Sequence, residues 1–85
     1  MKHAGSEALD RLEGLLEQIR AFDGLKEVKR GVFYRKSKAF LHFHEDPTGL
    51  YADLLQDRVR ARLPVTSAGE QAAFLEKVTC RLATK

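Results

Sequence analysis

Two histidines, His42 and His44, sit in the stretch Lys38 to Leu55, KAFLHFHEDPTGLYADLL, with Asp46, Tyr51 and Asp53 close behind. On an extended strand, side chains two residues apart leave the same face. The two imidazoles would then stand side by side, with Asp53 from a neighbouring strand or Asp46 from the turn as third ligand. A set of His42, His44 and Asp53 suits zinc or non-haem iron. The same imidazoles have the intrinsic pKa for acid–base work, and Glu45 or Asp46 is placed to tune one of them. An H-x-H pair on a solvated strand needs no metal, however, and nothing in the sequence fixes a fourth ligand or a second shell.

A second chemistry lies downstream in RVRARLPV, where Arg58, Arg60 and Arg62 alternate with Val59, Ala61 and Leu63. On a strand this is a guanidinium stripe about 13 Å long at about 3.3 Å per residue. Phe40 and Tyr51 would offer stacking platforms beside it, which is the composition of a single-stranded nucleic-acid surface. Asp53 interrupts that positive field, and arginine on an exposed strand also guards against edge-to-edge aggregation. Aromatics with arginine equally describe a protein interface, so a protein partner or a homodimer through this face is a third reading. A solvated face that binds nothing is the fourth.

Other chemistries find little footing. Ser37 falls in a turn, Ser67 is best used as a helix cap, and Cys80 lies within a helical pattern where a buried or inert thiol is expected. The six glycines are scattered and form no phosphate loop. No cofactor is expected, and an enzyme has no motif behind it. One cysteine cannot make an internal disulfide, and no Cys/His spacing suggests a structural zinc. No apolar run approaches the length of a membrane span, and Met1 to Gly5 lacks the apolar core of a signal peptide. A cytoplasmic protein without membrane contact is the expectation. The formal charge of +3 is too mild to name a partner.

The elements that must position these residues follow from periodicity. Leu9, Leu12, Leu15, Leu16, Ile19 and Phe22 recur at three- and four-residue spacing behind Ser6, predicting an amphipathic helix that Asp23-Gly24 stops. Leu25 to Lys29 and Val32 to Lys36 read as short strands around an Arg30-Gly31 turn. Ala39 to His44 and Leu50 to Leu55 alternate cleanly about Asp46-Pro47-Thr48-Gly49, and Arg58 to Val65 alternates again. Ser67 and Glu70 have capping-box spacing at the head of a second amphipathic helix running to about Ala83.

Eighty-five residues in this order imply one α+β domain, residues 1–85, with 1–5 and 84–85 frayed. Tight links favour antiparallel neighbours. Each clear strand has one apolar face, so both helices are expected on one face of a four- to five-stranded antiparallel sheet, a two-layer sandwich. The inner face would carry Val32 or Phe33, Leu41, Phe43, Leu50, Ala52, Leu54, Val59, Ala61 and Leu63. The outer face would gather Arg35, Phe40, His42, His44, Tyr51, Asp53, Arg58, Arg60 and Arg62.

The stretch GVFYRKSKAFLHFHEDPTGLYADL resembles the small luciferase-like domain family, through Val32-Phe33-Tyr34, His42-Phe43-His44, Ala52-Asp53-Leu54 and Val65-Thr66-Ser67. VFYRKSKAFLHF is also similar to the YjbR and CyaY-like domains. Both resemblances imply an α+β domain; the first brings no assigned activity and the second suggests nucleic-acid binding. Together with the residues, they lead to the expectation of a small binding or interaction module that uses the open sheet face. The alternative is a metal-dependent or acid–base enzyme centred on His42, His44 and Asp53.

Overall fold

A computed structural model describes residues 2–56 and 59–83. The elements run β1 (Lys2–His3), α1 (Ser6–Arg11), α2 (Glu13–Arg20), β2 (Lys26–Lys29), β3 (Val32–Arg35), β4 (Lys38–Asp46), β5 (Gly49–Gln56), β6 (Val59–Pro64) and α3 (Ala68–Ala83). The sheet is antiparallel, in the order β2-β3-β4-β5-β6, and β1 pairs with β4. This is the α+β sandwich expected from the pattern, with three changes of detail.

The first change is at the amino-terminal end. Lys2 and His3, expected to fray, lie opposite Glu45 and His44. The Ala4 amide donates to the Phe43 carbonyl at 3.1 Å and the Gly5 amide to Glu45 Oε1 at 2.9 Å. β4 therefore carries β5 along one edge and β3 followed by β1 along the other.

The second change is a break in the first helix at Leu12. The Leu12 amide is shared between the Ala8 and Leu9 carbonyls, while its own carbonyl accepts from Leu16 at 2.9 Å. The stripe survives the break: Leu9, Leu12, Leu15, Leu16 and Ile19 are all buried in one cluster with Phe33, Leu41, Phe43, Ala52 and Leu54 of the sheet. Helix α3 adds Phe74 and Val78 to that cluster, with the Phe74 ring 6.2 Å from Phe43. Its capping box forms as expected, Ser67 Oγ accepting from the Glu70 amide and Glu70 Oε1 from the Ser67 amide.

The third change is one of strand phase. β3 and β4 slip register between Phe33, opposite Leu41, and Tyr34, opposite Ala39, which leaves Phe40 as the extra residue of a bulge. Phe40 is accordingly in the core cluster rather than on the outer face, and the Arg35 guanidinium lies over its ring at 5.7 Å. Arg35 also leaves the expected face, since it donates to the Arg81 carbonyl of α3. Val59, expected inside, is 68% exposed. The β3–β4 turn is made by Lys36 and Ser37, both at positive φ. Gly31 is required at the β2–β3 turn, because φ is +82° and a Cβ there would meet Leu9 Cδ2 at 2.6 Å.

An ion-pair network ties α2 to β2 and the turn after it. Arg20 donates to Glu13 Oε2 and Glu27 Oε1, both at 2.6 Å, and Arg30 to Glu13 Oε1 at 2.9 Å. The Arg30 bond, then the Arg20 bond, hold Glu13 below the usual carboxylate range; Arg20 and the Gly31 amide do the same for Glu27 against its partial burial. Carboxyls depressed in the folded state contribute stability above their unfolded pKa, about 4.3 for glutamate, and lose it as pH falls through the folded values. The urea midpoint should therefore drop between about pH 5 and pH 3, with a shallower slope in Arg20→Gln. Equal midpoints at pH 7 and pH 3 would contradict this assignment.

Candidate functional site: a histidine cluster on the open sheet face

Strand register assembles the cluster. His42 lies opposite Asp53, and Asp53 opposite Arg62, so one row across β4, β5 and β6 reads His-Asp-Arg. The next row along runs from His3 on β1 to His44 on β4 to Tyr51 on β5. The period of two thus delivers His42, His44, Tyr51, Asp53 and Arg62 to the face away from the helices, as their alternation predicted. His3 is the addition that the sequence reading missed.

The face is open to solvent as a layer, yet its centre is nearly closed. His44 is 8% exposed and Asp53 is 6% exposed. The three imidazoles shield one another, with centroids 4.7 Å apart for His42 and His44, 4.9 Å for His3 and His44, and 5.6 Å for His3 and His42. Asp53 accepts three hydrogen bonds: Oδ1 from Arg62 Nε at 2.9 Å, and Oδ2 from Arg62 Nη2 at 3.2 Å and from His44 Nε2 at 3.0 Å. Burial pushes the Asp53 carboxyl up, but Arg62 and His44 outweigh it and hold the pKa below the ordinary value. Asp53 is a carboxylate at neutral pH, so His44 Nε2 is the donor. A neutral His44 then presents its lone pair on Nδ1.

His42 differs. Its Nε2 is 3.9 Å from Asp53 Oδ2, too far for a hydrogen bond. Its Nδ1 is buried with no hydrogen-bond partner among the described residues. Burial first, then His44, lowers its pKa and keeps the ring neutral. A buried nitrogen left unpaired costs roughly 1–3 kcal/mol, so the native fold tolerates an unpaired imidazole nitrogen here.

One nitrogen from each of His3, His42 and His44 lies within 4.8 Å of the other two. No family model, curated protein or solved structure matches the chain. Donors around a tetrahedral zinc with bonds near 2.1 Å are about 3.4 Å apart. To hold a zinc the three nitrogens would need to close by roughly 1.4 Å.

The remaining expected residues are less concentrated. Tyr51 is half-buried and its hydroxyl lies 2.9 Å from Thr48 Oγ1. Thr48 gives its own proton to Asp46 Oδ2 at 2.7 Å, so Tyr51 is the donor in that pair. Arg60 is exposed and reaches across the sheet to the Ala39 carbonyl at 3.2 Å. Arg58 lies outside the described residues. With Phe40 in the core, the arginine stripe lacks that stacking platform, and Arg62 is paired with Asp53. Cys80, expected to be buried or inert, is exposed on α3. Among the described residues no helix is long and apolar enough to cross a membrane.

Sequence reasoning passed over His3 because two residues have no periodicity to read and the segment adjoins the chain start. Its residue type was the one available signal, since it completes the protein's complement of three histidines.

Proposed function

We propose that this protein is a small binding module whose open sheet face holds a divalent transition-metal ion. The supporting observation is the approach of three imidazole nitrogens to within 4.8 Å of one another. Imidazole is a borderline ligand that suits zinc, copper, nickel and cobalt rather than calcium or magnesium. Its neutral form is the ligating one, and burial favours that form at His42. The Asp53 bond to His44 supplies the outer-shell carboxylate that commonly fixes the tautomer of a ligating histidine. A nucleic-acid surface has less support, because Phe40 and Arg62 have other partners.

The test is a titration of isotope-labelled protein with zinc, read at the imidazole resonances. One equivalent of zinc at micromolar protein is expected to shift His3, His42 and His44 together and to leave α3 unmoved. Unshifted imidazoles at several equivalents, or shifts confined to the Cys80 region, would reject the reading.

A further inference from the structure

A metal held by His3, His42 and His44 has a fourth position to fill. Asp53 is the obvious fourth ligand, but its oxygens already accept three hydrogen bonds, two from Arg62 and one from His44. It buttresses one histidine from behind. Tyr51 donates its hydroxyl to Thr48, and Glu45 accepts from the Gly5 amide across β1. Neither is spare. Four-coordinate zinc with three protein ligands keeps one position for water or substrate, whereas structural sites supply all four.

The surroundings of His3 indicate what reaches that position. His3 belongs both to the histidine group and to a groove of about 430 Å³ between β1 and the β2–β3 turn. Leu9, Val32 and Phe43 line it, with Lys29 and Arg30 also contributing. Arg30 is held by Asp10 and Glu13. Lys29 has no ion-pair partner among the described residues, so the groove has an uncommitted positive charge and no acidic lining residue. A metal cation bound beside it would raise the positive potential further.

We propose that the centre is a three-histidine site, His3, His42 and His44, whose fourth position stays open to water or a small anion, such as a carboxylate, arriving by the groove at His3. The inference rests on the metal-binding reading above and deepens it. Asp53 is a positioning residue for His44, held in turn by Arg62.

Cobalt(II) is the probe, because its visible absorption bands report coordination number and ligand exchange. Cobalt-loaded wild-type protein is titrated with sodium azide and sodium acetate, with chloride at matched ionic strength as the control. Saturable band shifts with azide and acetate are expected. Asp53→Asn should keep the azide response while binding cobalt 10- to 100-fold more weakly, the usual loss for an outer-shell partner, and His3→Ala should lose the cobalt spectrum. Cobalt bound with bands that azide leaves unmoved would overturn the open position, a measurement that needs no variant. A cobalt spectrum unchanged in His3→Ala, or abolished in a folded Asp53→Asn, would overturn the ligand assignment. Failure of wild-type protein to bind cobalt at all would overturn the metal-binding reading itself, and is distinguished from the other outcomes by the absence of any band.

Discussion

His44→Ala is expected to weaken zinc binding by more than about 100-fold while leaving the protein folded. Loss of an outer-shell partner alone costs 10- to 100-fold in metal affinity, and removal of a ligand should exceed that. His44 is also the member of the trio that holds the others together. Its ring touches both His3 and His42 and bonds to Asp53. The fold should survive because Asp53 keeps Arg62 as partner, so no carboxylate is left buried alone. The lost hydrogen bond to a charged group costs about 1.5–3 kcal/mol. Competition against a chromophoric chelator gives the affinity and circular dichroism the fold. Zinc affinity within threefold of wild type in a folded His44→Ala protein would remove His44 from the ligand set.

The second large effect is expected at Phe33, whose ring is fully buried beneath the helices. Phe33→Ala should cost about 3–5 kcal/mol from lost transfer energy and the cavity left behind. Small domains have only about 5–15 kcal/mol in total. At about 4–8 °C per kcal/mol for a chain of this size, the thermal midpoint should fall by roughly 12–40 °C. Phe33 lies opposite Leu41, and its neighbour Val32 lies opposite His42, so the variant also loosens the strand that sets the first row of the cluster. Thermal and urea unfolding followed by far-ultraviolet dichroism measure the loss. A cost below about 1 kcal/mol would show that the site collapses around the missing ring or that the core is packed differently.

These residues show what a sequence discloses and what it withholds. The alternation of β4 against β5 placed His42, His44 and Asp53 on one face because two long paired strands with a tight turn leave little choice of register. The same rule misplaced Phe40, because a bulge adds one residue without changing the composition that signals a strand. It misplaced Val59 as well. Apolar alternation in β6 predicted burial along its whole length, yet burial is achieved only toward Val65, where the chain enters α3. The helical stripe from Leu9 to Ile19 was legible, though α2 ends at Arg20 and leaves Phe22 partly buried beyond it; the interruption at Leu12 was not, since the stripe keeps its spacing through the break. His3 was illegible for a different reason. Its position depends on a pairing between residues some forty positions apart, which no local pattern encodes.

That separation gives the cluster two unequal halves. The sheet from β2 to β6 is built of sequential hairpins, and β1 alone joins it from a distance. Bringing His44 to Asp53 closes a span of 9 residues, and bringing Gly5 to Glu45 closes one of 40. Chain entropy scales as three-halves RT times the logarithm of span, so the distant closure costs about 1.3 kcal/mol more. It is secured by a two-residue strand, against six paired positions between β4 and β5. The hairpin that carries two histidines and the carboxylate is a local contact, whereas the third histidine is brought in by a long-range one. The His3 amide is therefore expected to exchange with solvent deuterium sooner than those of His42 and His44, because only two paired positions secure β1.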